Sequence, residues 1–210
     1  MALLHRAQLV PSKLELLSGW LPARPWFHGT AQPPAFELAG AYRFDDPDGE
    51  VGIETHLLTD PDGTVWQAPL TYRAAPFDAA ESGFVGTLEH SVLGTRFVYD
   101  GCADPVYAQA LATAVLTGGR QADLEIATGD TTERREATTL VSGSGAAGST
   151  VPTIGAVHAT VDGTSTVIEC GSLTLVVLHR VDAPVDPAPA AVLTGTWPGR
   201  DRATLLALAR

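Results

Sequence analysis

Six aromatic and polar side chains in the middle of the chain are of types that could bind a sugar or anchor a protein partner. They are Trp66, Tyr72, Arg73, His90, Arg96 and Tyr99. Trp66 and Tyr72 have the same parity in one predicted strand, so we expect both on one face of a sheet. Aromatic rings beside an Arg or a His suit stacking against sugar rings or docking of a protein. The same residues are also typical of a core between a sheet and a helix, and both interpretations stay open.

Other groupings of polar residues lack the spacing that catalysis or metal binding requires. His90, Ser91 and Asp100 include the residue types of a hydrolytic triad, but Ser91 does not lie in a G-x-S-x-G turn. Glu54 and His56 are two residues apart and share a strand face, which suits a metal site or a solvated face alike. We therefore predict no catalytic residue, no metal ion and no cofactor, and an enzyme of unrecognised type remains one alternative.

Two helices have clear signals at their ends. Ser12 and Glu15 have the S-x-x-E spacing of a capping box, which predicts a short helix at the start of the chain. Asp104 followed by Pro105 predicts the start of a second helix over residues 104–117, which the glycines at 118 and 119 end. We expect this helix to face a sheet with four apolar residues: Val106, Ala110, Leu111 and Ala114.

Most of the remaining chain has the pattern of strands separated by short turns. The clearest hairpin joins residues 50–59 and 64–73 through the Asp-Pro-Asp-Gly turn at 60–63. Further strands are predicted at 35–44, 84–90, 96–99, 124–127, 137–141, 155–161, 164–170, 172–180, 191–197 and 203–208, with a charged turn at 132–136. Few helices and many strands predict an α+β fold with curved antiparallel sheets and a long helix packed on one face, followed by a smaller antiparallel β unit.

A Gly- and Ser-rich segment, SGSGAAGST at residues 142–150, divides the chain in composition. We predict an α+β domain over residues 1–141, a linker over residues 142–153 and a small antiparallel β unit over residues 154–210. Residues 182–190 are rich in proline and are predicted to form a crossover between strands of the second unit.

The charge balance argues against two classes of partner. The formal net charge is -11, and Lys13 is the single lysine beside twelve arginines. Nucleic acids and anionic membranes both require a basic patch, so we expect neither as a partner. No signal peptide or long apolar run is visible, which predicts a cytoplasmic protein. Cys102 and Cys170 have no C-x-x-C spacing and are expected to be buried thiols.

Three segments together resemble the N-terminal cap of actinobacterial maltokinases, sugar kinases of the aminoglycoside-phosphotransferase type. They are SKLELLSGWLPARPWFHG at residues 12–29, VGIETHLLTDPDGTVWQAPLTYR at residues 51–73 and VGTLEHSVLGTRFVYDGCADPVYAQALATAVLTGG at residues 85–119. A fourth segment, TSTVIECGSLTLVVLHRV at residues 164–181, resembles the strand pair that begins the nucleotide-binding lobe of these kinases. The order of the four segments holds from residue 12 to residue 181.

The departure from the kinase pattern concerns phosphate binding. In the kinases the strand that resembles residues 173–180 carries a lysine that pairs with ATP phosphates, whereas Val176 stands at the best-matching position here. Phosphoryl transfer depends on charge clamping and positioning, so we expect no kinase activity. The resemblance implies a stand-alone, non-catalytic cap-like protein with an accessory or regulatory role in α-glucan, maltose or trehalose metabolism, acting through a partner protein. A module that binds an oligosaccharide or other small ligand is the second interpretation, and the oligomeric state stays open.

Overall fold

The computed structural model describes residues 2–5, 7–29, 36–128, 131–185 and 191–210. Its two α-helices are α1 (Lys13–Trp20) and α2 (Pro105–Thr117). The strands are β1 (Ala2–His5), β2 (Leu9–Val10), β3 (Glu37–Phe44), β4 (Gly52–Thr59), β5 (Val65–Arg73), β6 (Phe84–His90), β7 (Gly94–Asp100), β8 (Leu124–Thr128), β9 (Thr131–Arg135), β10 (Leu140–Gly143), β11 (His158–Asp162), β12 (Ser165–Cys170), β13 (Leu173–Leu178), β14 (Ala191–Trp197) and β15 (Arg200–Ala209). Of the predicted crossover at 182–190, residues 186–190 lie outside the described residues.

The first sheet has six antiparallel strands in the order β2-β6-β7-β5-β4-β3. Its β4–β5 hairpin confirms the prediction made from the Asp-Pro-Asp-Gly turn. The Asp60 carboxylate accepts hydrogen bonds from the backbone N–H of Asp62 at 3.0 Å and of Thr64 at 2.9 Å. Gly63 supplies the positive φ of 80° that such a turn favours.

The second sheet also has six antiparallel strands, in the order β10-β14-β15-β13-β12-β11. These two sheets and the two helices confirm the predicted α+β class with antiparallel sheets. A third sheet of β1, β8 and β9 contains a parallel pair, β1 with β8. The charged segment 132–136 was predicted as a turn, but most of it belongs to β9, which pairs with β8. The strand predicted at 137–141 begins only at Leu140.

Both helices begin as their sequences predict. In α1 the Ser12 hydroxyl accepts from the Glu15 N–H at 3.2 Å, and the Glu15 carboxylate accepts from the Ser12 N–H at 2.8 Å. In α2 Asp104 caps the N-terminus, and Gly118 ends the helix with a φ of 70°. The predicted face of α2 is only half right. Its buried residues are Tyr107, Ala108, Leu111, Ala112, Ala114 and Val115, because the helix is apolar nearly all round and packs against β10, β14 and β15.

The glycines of the predicted linker have a packing role. The N–H of Gly145 donates to the Val115 carbonyl, and that of Gly143 to the Gly119 carbonyl, each at 2.9 Å. A Cβ at either position would collide with the backbone of α2. β10 crosses the predicted domain boundary at residue 141 and pairs with β14 of the second sheet. The division into domains stays a prediction.

Two buried clusters form the core. The larger one joins the first sheet, α2 and the second sheet, and includes Leu57, Leu111 and Leu193. The other lies on the opposite face of the first sheet, where α1 and the segment that follows it cover Trp66 and Leu88. Cys102 and Cys170 are both buried and free, as predicted. Neither described helix is long and apolar enough to cross a membrane.

Candidate functional site

A cavity of about 480 Å³ opens at one end of the first sheet. Its wall is formed by β2, the first residue of α1, the loop at residues 45–50, the ends of β3 and β5, and the β6–β7 hairpin. The polar wall includes Lys13, Arg43, Tyr72, His90 and Arg96, and the apolar wall includes Leu9, Phe44, Leu88 and Leu93. The volume and mixed lining are typical of sites for small molecules.

A buried carboxylate lies behind the polar wall and binds several cations. Glu54 on β4 forms an ion pair with Lys13, and its Oε2 lies 3.2 Å from an Nη of Arg43 and 3.4 Å from Nε2 of His56. Arg43 lies directly opposite Glu54 in the β3–β4 register. The Tyr72 hydroxyl completes the cluster through a hydrogen bond of 3.2 Å to Nε2 of His56. One carboxylate therefore faces two basic side chains, Lys13 and Arg43.

Burial and charge act in opposite directions on this cluster. Burial alone would raise the pKa of the Glu54 carboxyl, but His56, Lys13 and Arg43 outweigh it and hold the pKa well below its usual value. Burial lowers the pKa of the Lys13 amine, and the Glu54 carboxylate opposes that shift. Burial also raises the pKa of the Tyr72 hydroxyl well above its usual value. Glu54 is thus ionised and Tyr72 neutral near neutral pH.

The cavity brings together three of the six residues singled out from the sequence: Tyr72, His90 and Arg96. Nδ1 of His90 accepts from the backbone N–H of Val92 and Leu93, which fixes the ring at the hairpin turn. The Arg96 Nη2 donates to the Leu93 carbonyl at 2.7 Å, while the buried Nε of Arg96 has no hydrogen-bond partner. The Lys13 ammonium lies 5.3 Å from the centre of the Tyr72 ring.

The other three residues lie away from the cavity. Trp66 is buried in the cluster beneath α1, and its indole N–H donates to Asp60 at 2.8 Å. The Tyr99 hydroxyl accepts from the Phe77 N–H at 2.8 Å in a fully buried position. Arg73 binds the fully buried Asp104 through two hydrogen bonds, of 2.9 and 2.8 Å. Each of these polar groups has a protein partner.

Sequence reasoning missed the cations Lys13 and Arg43 and did not use Glu54 as their partner. The pairing of Arg43 with Glu54 could have been predicted, because the two residues lie in neighbouring predicted strands and have opposite charges. Lys13 could not have been placed, since nothing in the sequence tells where α1 lies on the sheet.

Residues 20–104 match the family model of the maltokinase N-terminal cap domain. This segment of the chain is therefore similar to the maltokinase N-terminal cap domain. The match runs from the last residue of α1 to the N-cap of α2 and includes Arg43, Glu54, Tyr72, His90 and Arg96, but not Lys13. The parts of the resemblance at residues 12–19, 105–119 and 164–181 lie outside the match and stay predictions. No curated protein matches the chain.

The cap-like segment, residues 20–104, is joined to the second sheet by a buried polar junction. The Gln67 side-chain amide donates to the carbonyls of Leu178 at 3.1 Å and Leu206 at 3.0 Å and accepts from the Tyr42 hydroxyl at 3.0 Å. Nδ1 of His179 lies 2.9 Å from the Gln67 carbonyl, and its Nε2 lies 2.7 Å from the Thr166 hydroxyl. A carbonyl only accepts, so Nδ1 carries the proton and Nε2 accepts.

The described residues contain no cluster of metal-binding side chains. Within the described ranges, no group of three or more His, Cys, Asp or Glu side chains is placed to hold a metal ion. Glu54 and His56 do share a strand face, as the sequence predicted, but Glu54 is paired with Lys13 and Arg43, and His56 is hydrogen-bonded to Tyr72.

Proposed function

We propose that this maltokinase cap-like protein is non-catalytic and works by binding, as an accessory or regulatory component of α-glucan, maltose or trehalose metabolism. The family match supports the metabolic setting, since the cap domain takes its name from a maltokinase. The proposed link to α-glucan, maltose or trehalose metabolism is inferred from that family.

The residue at one position of β13 supports the absence of phosphoryl transfer. Val176, at the position that best matches the phosphate-pairing lysine of the kinases, is half-buried and lies opposite Leu208 and Val167. The single lysine of the chain, Lys13, is held by Glu54 in the first sheet. An apolar strand position supplies no charge to clamp a phosphate.

An apolar surface beside the cavity supports binding of a partner protein. Val10, Val92 and Leu93 are exposed to 68, 57 and 46%. Val92 and Leu93 are adjacent at the β6–β7 turn, and Val10 lies on β2, which pairs with β6 and is joined to the turn by the hydrogen bonds between Gln8 and Ser91. Apolar side chains that cluster on a surface are typical of interaction sites.

Affinity capture from the native cell tests the partner. We expect the wild-type protein to retain an enzyme of α-glucan, maltose or trehalose metabolism and Val92→Asp to lose it. Val161→Asp, at an exposed position of β11, is the matched control and should retain it. Capture of the same enzyme by all three proteins, or of no enzyme of this class, would contradict the proposal.

The cavity favours a second candidate function, binding of an oligosaccharide or other small ligand. Tyr72, His90 and Arg96 line it together, and its volume of about 480 Å³ suits a molecule of one or two sugar rings. Titration of maltose and maltotriose into ¹⁵N-labelled protein should shift amide signals around the cavity and leave those of β11 unchanged. The absence of shifts at the cavity would remove this candidate.

A further inference from the structure

The charges of Lys13, Arg43 and Glu54 do not cancel. Lys13 and Arg43 share the single carboxylate of Glu54, so these three groups carry one net positive charge. They are only partly exposed, with side-chain exposures of 26, 20 and 10%. Partly buried charges are screened less by water and salt than surface charges. The net positive charge of these three groups therefore acts on a ligand inside the cavity.

Arg96 adds a further cation to the lining of the cavity. Its guanidinium makes one hydrogen bond, from Nη2 to the Leu93 carbonyl, and its buried Nε–H has no acceptor. Arg96 lines the cavity, and a guanidinium has five N–H donors, so those of its terminal nitrogens that Leu93 does not use can donate to a bound ligand. Guanidinium groups bind carboxylate and phosphate oxygens strongly because the hydrogen bonds are assisted by charge.

The cavity is also lined by three acidic residues, Asp45, Asp46 and Glu50, all on the loop at residues 45–50. The Asp46 carboxylate is hydrogen-bonded within its own segment, where it accepts from the backbone N–H groups of Asp48, Glu50 and Val51. Glu50 is exposed on the cavity lining and presents a carboxylate that can accept hydrogen bonds. The cavity is therefore lined both by cations and by carboxylates that can accept hydrogen bonds.

We propose that this cavity binds a small hydroxylated organic anion, such as a sugar acid or a sugar phosphate. The anionic group accepts hydrogen bonds from the terminal nitrogens of the Arg96 guanidinium, in a cavity that Lys13 and Arg43 also line. The hydroxyl groups of the ligand donate hydrogen bonds to the Glu50 carboxylate, which also lines the cavity. This inference rests on the second candidate function, small-ligand binding at the same cavity, and names the chemistry of the ligand.

The single lysine of the chain gives a direct reporter of the cavity. Protein labelled with ¹³C-lysine has one side-chain ε-CH₂ signal, that of Lys13. Four probes are titrated separately: gluconate, glucose 6-phosphate, inorganic phosphate and glucose. We expect gluconate and glucose 6-phosphate to shift the Lys13 signal at lower concentration than either inorganic phosphate or glucose. Raising the salt from about 50 to about 500 mM should weaken the binding of both anions.

Two arginine variants separate the cavity from the net charge of the protein. Arg96→Gln should weaken binding of glucose 6-phosphate by about tenfold or more, as loss of a charge-assisted hydrogen bond does. Arg202→Gln removes the same charge from an exposed position of β15 and should leave the dissociation constant unchanged. If Arg96→Gln does not keep the wild-type melting temperature, Glu50→Gln serves instead, with a weaker glucose 6-phosphate complex and an unchanged inorganic phosphate complex.

The outcomes separate this inference from the function on which it rests. Glucose binding as tightly as gluconate would overturn the anion and leave small-ligand binding in place. Inorganic phosphate binding as tightly as glucose 6-phosphate would overturn the role of the hydroxyl groups. No shift of the Lys13 signal with any probe, together with no response to maltose or maltotriose, would overturn both. If Arg96→Gln and Arg202→Gln weaken the binding of glucose 6-phosphate equally, the effect comes from the overall charge of the protein, and the inference is contradicted.

Discussion

Protonation of His179 should destabilise the fold in mild acid. The imidazole is fully buried, stacks on Trp26 with ring centres 3.8 Å apart, and accepts the Thr166 hydroxyl proton at Nε2. A second ring proton would have to displace that hydrogen bond within an apolar stack. Burial lowers the pKa of His179 from 6.5 to about 4, against a smaller opposing effect of the Gln67 carbonyl.

The sign and size of the effect follow from linkage. Between pH 6.5 and about 4 the unfolded chain binds a proton at this residue and the folded chain does not, so stability falls as the pH falls. Each pH unit between the two pKa values is worth about 1.4 kcal/mol, which gives about 3 kcal/mol in total and about 2 kcal/mol at pH 5. The buried Asp100, whose pKa burial raises to about 6, acts in the opposite direction over the same range.

A variant that cannot titrate isolates the contribution of His179. His179→Gln retains a donor and an acceptor, and Asp100 is present in both proteins, so the contribution of Asp100 cancels in the comparison. Unfolding by urea, followed by tryptophan fluorescence at pH 7.5 and pH 5, should show the wild type losing about 2 kcal/mol more than the variant. His158→Gln, at an exposed position of β11, should show the wild-type loss.

Two results would refute this reasoning. One is an equal loss of stability in the wild type and in His179→Gln between the two pH values. The other is an NMR titration in which the His179 ring protonates near 6.5 while the protein remains folded.

Three further predictions concern activity and stability. Purified protein should neither hydrolyse ATP nor phosphorylate maltose, glucose or glucosamine, and Val176→Lys should not change this; magnesium-dependent sugar phosphorylation above a vector-only control would contradict it. Removal of residues 190–210 deletes β14 and β15 and exposes the edges of β10 and β13, so we expect insoluble protein; a soluble monomer with the wild-type melting temperature would show that these strands are dispensable. Asp104→Ala should lower the free energy of unfolding by about 3–5 kcal/mol, because it leaves Arg73 partly buried and unpaired. Asp123→Ala, which breaks an exposed ion pair, should cost less than about 1 kcal/mol, and equal costs in urea unfolding would contradict the burial argument.

Local signals predicted the elements well where the physical cause is local. The capping box fixed the start of α1, the Asp-Pro pair fixed the start of α2, and β14 has the predicted bounds at Ala191–Trp197. Sequence alone did not predict which sheet each strand joins. β10, for example, pairs with β14 about fifty residues later in the chain, and no local pattern specifies that partner.

Three of the six residues predicted for the candidate site line the cavity. The other three do not, because local patterns do not specify which elements pack against each other. Parity placed Trp66 and Tyr72 on one face of β5, and both contribute to the cluster on that face. Only Tyr72 reaches the cavity, because Trp26 and Phe27 pack on Trp66 with ring centres 6.3 and 4.7 Å away. What covers each residue of a sheet face depends on how the preceding segment lies across it, and that is a property of the whole fold.

The buried junction explains why the matched segment and the second sheet belong together physically. Gln67 has both amide hydrogens and its side-chain oxygen hydrogen-bonded, and two of those partners, the carbonyls of Leu178 and Leu206, come from outside residues 20–104. Without the second sheet, a fully buried amide would lose two acceptors, and Trp26 would lose the ring of His179 on which it stacks. The cap-like segment is therefore built to cover, and be covered by, another β structure. In this chain β13 and β15 provide that cover.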